Sequence, residues 1–286
     1  MNKNDEILRF LKRATDALEY IAGNKNFKIK ITEEDSYIWN PENFSLEPIK
    51  KLNYLKLDLL IGIEHNKKLL LDNTIQFSQS LPANNVLLWG ARGMGKSSLI
   101  KSVFKNVTNK TNVERLILIE INREDIKSIP MLTKKISNIR HQFILFCDDL
   151  SFDENETSYK SLKNILEGGL AEKSNNIIFY ATSNKRHLIS RNMNENESTT
   201  DIIPHEAVEE KVSLSDRFGL WLGFYQCSQE QYLSMVQTYI KTYNINIDSL
   251  KAKELAIEWS ITRGSRSGRV AWQFIQDLAG KMEKKL

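Results

Sequence analysis

The stretch that most narrows what this chain can fold into is Gly90-Ala91-Arg92-Gly93-Met94-Gly95-Lys96-Ser97, which fits G-x-x-x-x-G-K-[ST]. It follows a strand-like run, Asn85 to Trp89, and precedes a helical pattern, Ser98 to Val103, which is the context that motif requires. Glycines let the backbone curl so that successive N–H groups face a phosphate, and the helix N-terminus adds partial positive charge. The segment Gly90 to Ser98 is therefore expected to bind ATP. Lys96 should reach the β and γ phosphates, and Ser97 should ligate Mg²⁺.

Around this loop, apolar runs of strand length alternate with helical patterns: Asn85 to Trp89, Arg115 to Ile121, Gln142 to Cys147, Asn176 to Ala181 and Gly219 to Tyr225. Their residues are apolar without alternation, as in parallel strands buried on both faces. Strands and helices in turn predict an α/β fold of three layers. The run Phe143 to Cys147 ends in Asp148 and Asp149. A buried strand also ends in Asp where a turn simply follows, but downstream of a P-loop the pair reads as Walker B. Asp148 would then hold Mg²⁺ through its water shell, and Asp149 would polarise the attacking water.

Three further residues matter once a nucleotide site is granted. Asn184 follows the strand Asn176 to Ala181, where it could reach the γ-phosphate or the lytic water. Arg217, in Ser-Asp-Arg-Phe, precedes the last strand and could be an arginine finger offered to a neighbouring subunit. Arg269 opens the last helix, where a cation opposes the helix dipole unless an anion sits nearby.

The chain divides on pattern into a mostly helical segment 1–57, a nucleotide-binding α/β core 58–225, and a helical domain 226–286. Ile7, Leu8, Leu11, Ala14, Leu18 and Ile21 predict an opening helix. Ser228 with Gln231 predicts a capping box, and further helices should start near Asp248 and Ser267. The segment 190–212 reads as a long exposed loop. Gly168 and Gly169 interrupt a helical pattern, which suggests close backbone approach or helix packing.

Composition excludes some classes. Lys and Arg number 40 against 36 Asp and Glu, a formal charge of +4, so no strong nucleic-acid footprint appears for the whole chain. With 41% hydrophobic and 27% charged residues, the chain suits an ordinary folded protein rather than a disordered one. Cys147 and Cys227 lack metal-ligand spacing, and no stretch of about 18 apolar residues occurs. A cytoplasmic protein with no membrane association is expected.

In order, the P-loop, Asp148-Asp149, Asn184, Arg217 and Arg269 resemble the Walker A, Walker B, sensor 1, arginine finger and sensor 2 elements of the AAA+ superfamily. NNVLLWGARGMGKSSL, FILFCDDLSF, YKSLKNILEGGL, YATSNKRHL, EAVEEKVSLSDRFGLWL and SGRVAWQF are more closely similar to a bacterial ATP-binding family filed as domain of unknown function 815. The similarity covers about Leu59 to Leu278. It implies a sheet with the P-loop strand central, a small helical lid carrying Arg269, and homo-oligomers in which Arg217 acts in trans. Leu60-Ile-Gly-Ile-Glu64 looks like the segment that packs near adenine.

One departure stands out. Most AAA+ ATPases place Glu where this chain has Asp149, a carboxylate shorter by one methylene. Two readings follow: an ATPase that couples Mg-ATP binding and slow hydrolysis to rearrangement of a macromolecular partner, or a nucleotide-gated loader or adaptor in which ATP binding alone regulates a protein or nucleic-acid interaction. If the short carboxylate limits water activation, Asp149→Glu should raise turnover. A small-molecule P-loop kinase fits less well, since it gives Asn184, Arg217 and the C-terminal helices no required place.

Overall fold

The computed structural model describes residues 29–109, 115–152, 158–167, 174–186 and 214–286, with the single positions Ile7, Thr15 and Leu188. The expected opening helix lies outside these residues except at Ile7 and Thr15, which are both helical. Gly168, Gly169 and the 190–212 segment lie outside them as well.

Seven strands form one sheet: β1 (Ser36–Asn40), β2 (Ser45–Pro48), β3 (Val86–Gly90), β4 (Leu116–Glu120), β5 (Gln142–Cys147), β6 (Ile177–Ser183) and β7 (Leu220–Phe224). Their order is β2-β1-β4-β5-β6-β3-β7, and every pairing is parallel except β1 with β2. The five apolar runs read from the sequence are β3 to β7. The strand leading into the P-loop, β3, is interior but not central. It sits one in from the β7 edge, and β5, which leads to Asp148, lies fourth of the seven.

The expectation of a mostly helical 1–57 does not hold for its described part. β1 and β2 form an antiparallel hairpin whose first strand pairs with β4, so this segment completes the core sheet. Tyr37 and Trp39 are fully buried while Ile38 between them is exposed. Each such aromatic contributes roughly 2 kcal/mol on burial, which recruits a hairpin that would be marginal alone. Two inward residues in a short polar stretch give little periodic signal.

Alternation along the strands sends successive side chains to opposite faces. Leu88, Leu118, Ile144, Phe146, Ile178 and Tyr180 pack on one side against α1 (Glu64–Ser78) and α2 (Lys96–Thr108). Leu87, Ile117, Ile119, Phe143, Leu145 and Phe179 pack on the other, against α3 (Ile129–Ile136) and α4 (Tyr159–Glu167). The result is the expected three-layer α/β arrangement.

The chain ends in α5 (Gln229–Thr242), α6 (Ser249–Thr262) and α7 (Gly268–Lys281). Their starts are the predicted ones. Ser228 and Gln231 close a reciprocal capping box, Asp248 accepts from the amides of Leu250 and Lys251, and Ser267 accepts from that of Val270. Tyr232, buried on α5, donates to the Ala256 carbonyl of α6 at 3.0 Å. Among the described residues no helix is long and apolar enough to cross a membrane.

Candidate functional site

β3 ends in a loop that only glycines can trace. Gly90, Gly93 and Gly95 have φ values of 122°, 74° and 86°. A Cβ at Gly90 would lie 2.0 Å from the Phe224 carbonyl oxygen, which already accepts from the Ala91 amide at 2.7 Å. The loop is thereby held against the end of β7. Gly95 then starts α2 with no side-chain cap, leaving the first N–H groups of the helix for an incoming group.

Lys96 is 7% exposed, and its ammonium is fully engaged. It donates to the carbonyls of Gly90 and Ala91 at 2.9 Å each, and to Asn184 Oδ1 at 3.1 Å. Burial pulls it below its ordinary value of 10.5; Asp149 and Asp148 oppose that, and Arg269 and Arg92 add to it. A cation so desolvated and crowded by other cations gains strongly from a polyanion.

Asn184 uses its other end to donate to Asp149 Oδ1. Beside this chain, Ser97 Oγ donates to Asp148 Oδ1 at 2.5 Å. The hydroxyl and the carboxylate are two hard oxygen donors at the mouth of the loop. That suits Mg²⁺, which takes one or two protein oxygens and fills its remaining positions with phosphate and water. Among the described residues no group of three or more His, Cys, Asp or Glu could hold a metal ion.

These residues line one cleft of about 640 Å³. Its polar lining includes Lys96, Ser97, Asp148, Asp149, Asn184 and Arg269. Its apolar lining includes Leu60, Ile61 and Ile63 ahead of α1, and Met235, Tyr239 and Trp272 of the C-terminal helices. The α7 helix closes directly onto the P-loop: the Arg269 amide donates to the Gly93 carbonyl at 3.0 Å. A side chain on Gly93 would meet Ser267 Oγ at 2.8 Å, so the contact needs glycine there.

The sequence matches, over residues 32–282, the family described as Protein of unknown function (DUF815). The chain belongs to this family. No curated protein sequence matches it. In fold, this DUF815 chain is similar to the RuvB Holliday junction branch migration motor of Thermotoga maritima, with 16% identity and a TM-score of 0.53. The match covers 80% of the chain but 66% of RuvB, just under two thirds of its length. A point mutant of the same RuvB matches at 18% identity and a TM-score of 0.53, covering 82% of this chain and 69% of that one. With its mostly parallel sheet and C-terminal helices, the DUF815 chain has the AAA+ P-loop fold.

Most sequence-predicted residues of the DUF815 chain gather in the cleft: Arg92, Gly93, Met94, Gly95, Lys96, Ser97, Ser98, Asp148, Asp149, Asn184 and Arg269 all line it. Gly90 and Ala91 join through their carbonyls on Lys96. Arg217 does not line it. β7 runs parallel to β3, with Leu220 opposite Val86, so Arg217 lies at the end of the sheet away from the P-loop. Five residues at about 3.3 Å each put on the order of 15 Å between it and its own loop.

Two features escape sequence reading. Thr182 on β6 touches both Asp148 and Asp149, and its only signal is a place two residues before Asn184 in a buried strand. Tyr239 and Trp272 of the C-terminal helices also line the cleft, with ring centroids 5.6 Å apart. They are distant in sequence and meet only when α5 and α7 pack.

Proposed function

We propose that this chain is an AAA+ ATPase that binds Mg-ATP in the cleft and couples binding and slow hydrolysis to rearrangement of a macromolecular partner, protein or nucleic acid. The observation that carries the reading is the Lys96–Asn184–Asp149 chain lying beside the Ser97–Asp148 pair. Groups suited to terminal phosphates, to a hard cation and to a lytic water thus converge at one helix N-terminus.

In this reading Lys96 leaves the loop carbonyls for the β and γ phosphates, with the α2 amides below them. Ser97 and Asp148 would hold Mg²⁺, which neutralises phosphate oxygens when bound. Asp149 orients the attacking water and accepts its proton, and Asn184 fixes that water or the γ-phosphate. Leu60, Ile61 and Ile63 face the base, with Trp272 and Tyr239 opposite. Arg269 adds charge from the lid, so nucleotide occupancy and lid position are coupled through α7. The functional units are the α/β core, to which the 36–48 hairpin contributes, and the 226–286 lid.

Arg217 is assigned to the neighbouring subunit's site in a homo-oligomer, because its own cleft lies beyond its reach. RuvB is a branch migration motor, and a motor-like use of the same fold is the analogy behind the partner rearrangement. Two buried free cysteines are in keeping with a cytoplasmic setting.

A nucleotide-gated loader or adaptor is the second reading, favoured by one observation. Asp149 is non-glycine at a φ of 52° and is tied to Asn184, so its short carboxylate is restrained rather than free. Phosphate release measured over a range of protein concentrations separates the two. Turnover that rises per site with concentration supports the ATPase. Tight ATP binding with turnover near zero at every concentration supports the switch.

A further inference from the structure

Thr182 lies on β6 and is 1% exposed, and its hydroxyl both donates and accepts. Oγ1 donates to Asp148 Oδ1 and accepts from the Asp149 amide at 2.9 Å. The same residue's carbonyl accepts from the Leu150 amide at 2.7 Å. A hydroxyl has one proton and two lone pairs, so one donation and one acceptance fix its rotor. Asp148 Oδ1 receives two donors, Thr182 from the side of the sheet and Ser97 from the P-loop helix.

Asn184 stands just past the end of β6 and holds Asp149. The end of β6 and the residue that follows it therefore grip both carboxylates that follow β5: Thr182 sets the first and the backbone of the second, and Asn184 sets the second side chain. A valine would fill the same volume in this buried strand. The hydroxyl is what the arrangement requires.

We infer that Thr182 is a positioning residue for the metal site, holding the Asp148 carboxylate in the orientation that serves Mg²⁺ and the Asp149 backbone in its left-handed conformation. This rests on the nucleotide-site reading above. Thr182 borders the cleft, and the role assigned to it acts through Asp148 and Asp149.

The test is Mg²⁺-dependent binding of a fluorescent ATP analogue by the full chain, in wild type, Thr182→Val and Thr182→Ser. Valine keeps the shape and removes the hydroxyl, whereas serine keeps the hydroxyl and removes the methyl. Thr182→Val should raise the Mg²⁺ concentration for half-maximal binding by about 10- to 100-fold, the usual effect of losing an outer-sphere partner. Binding of the analogue in EDTA should be unchanged in that variant. Thr182→Ser should restore the wild-type Mg²⁺ requirement.

A wild-type Mg²⁺ requirement in Thr182→Val overturns the inference. So does a serine variant as impaired as the valine one, which would make the methyl and its packing the cause. Equal losses with and without Mg²⁺ in Thr182→Val point to a collapsed pocket and overturn it too. If Thr182→Val does not fold, as judged by circular dichroism, Thr182→Ser alone decides: a folded serine variant with a raised Mg²⁺ requirement refutes the role, and a normal one upholds it. Wild type that binds no analogue at all refutes the nucleotide-site reading itself, a result distinct from each of these.

Discussion

Asn184 joins Lys96 to Asp149: its carbonyl oxygen accepts from the Lys96 ammonium at 3.1 Å while its amide donates to the Asp149 carboxylate. One neutral side chain thus separates the cation proposed to meet the terminal phosphates from the carboxylate proposed to meet water. In the proposed bound state Lys96 turns to the phosphates, so Asn184→Ala removes a contact that Lys96 makes in the free protein, and ATP affinity should not fall by more than about tenfold, roughly one hydrogen bond's worth. Turnover should fall by roughly 10²- to 10³-fold, as when one positioned donor is removed. Single-turnover phosphate release beside equilibrium binding reads both. A loss confined to affinity would make Asn184 a binding residue only.

Asp149 has a backbone reason to be Asp. Its φ of 52° lies in the left-handed region, which Asp and Asn enter more readily than Glu. The added reach of Glu, which from sequence alone favours faster turnover, is here set against strain and against loss of the Asn184 contact. Asp149→Glu should therefore lower the melting temperature, by a stability change of up to about 1 kcal/mol, and should slow single-turnover hydrolysis. Faster hydrolysis at unchanged ATP affinity would show that reach outweighs conformation.

Arg217→Ala should spare ATP binding and remove most turnover, since fingers of this kind contribute about 10³- to 10⁵-fold in phosphoryl transfer. Mixing it with excess Lys96→Ala protein, which offers an intact Arg217 but no working site, should recover part of the activity. A mixture as inactive as Arg217→Ala alone would assign Arg217 a structural role before β7.

Lys96 gives ATP binding a pH dependence whose sign is fixed. Burial, aided by Arg269 and Arg92, lowers its value in the free protein from the ordinary 10.5, and bound phosphates raise it again. Affinity should be flat below the lowered value and should fall as pH rises through it, with uptake of a proton on binding. Calorimetry in buffers of different ionisation enthalpy measures that uptake. Proton release on the alkaline side would contradict the assignment of Lys96 as the phosphate cation.

What could be read from the sequence follows from how strongly each part is patterned. Strands buried on both faces, such as Gln142–Cys147, are continuous apolar runs. The helix starts at Ser228, Asp248 and Ser267 carry local capping chemistry, and the P-loop is a contiguous motif. The β1–β2 hairpin was illegible because only Tyr37 and Trp39 mark its inward face. Thr182 looks like any β-branched strand residue, since its proposed role depends on partners just beyond the end of another strand. The Tyr239–Trp272 wall exists only through packing of two helices. Arg217 stands out in sequence, but its site lies outside its own subunit in the proposed assembly.

The most direct measurement is equilibrium binding of ATP with Mg²⁺ to the wild type and to Lys96→Ala, each confirmed as folded by its thermal transition. Wild type should bind. Lys96→Ala should lose at least about 10- to 100-fold in affinity, the worth of a buried charge-assisted contact, while keeping its cooperative melt. Near-wild-type affinity in the folded Lys96→Ala protein, or no binding by the wild type, would contradict the assignment of this cleft as the nucleotide site.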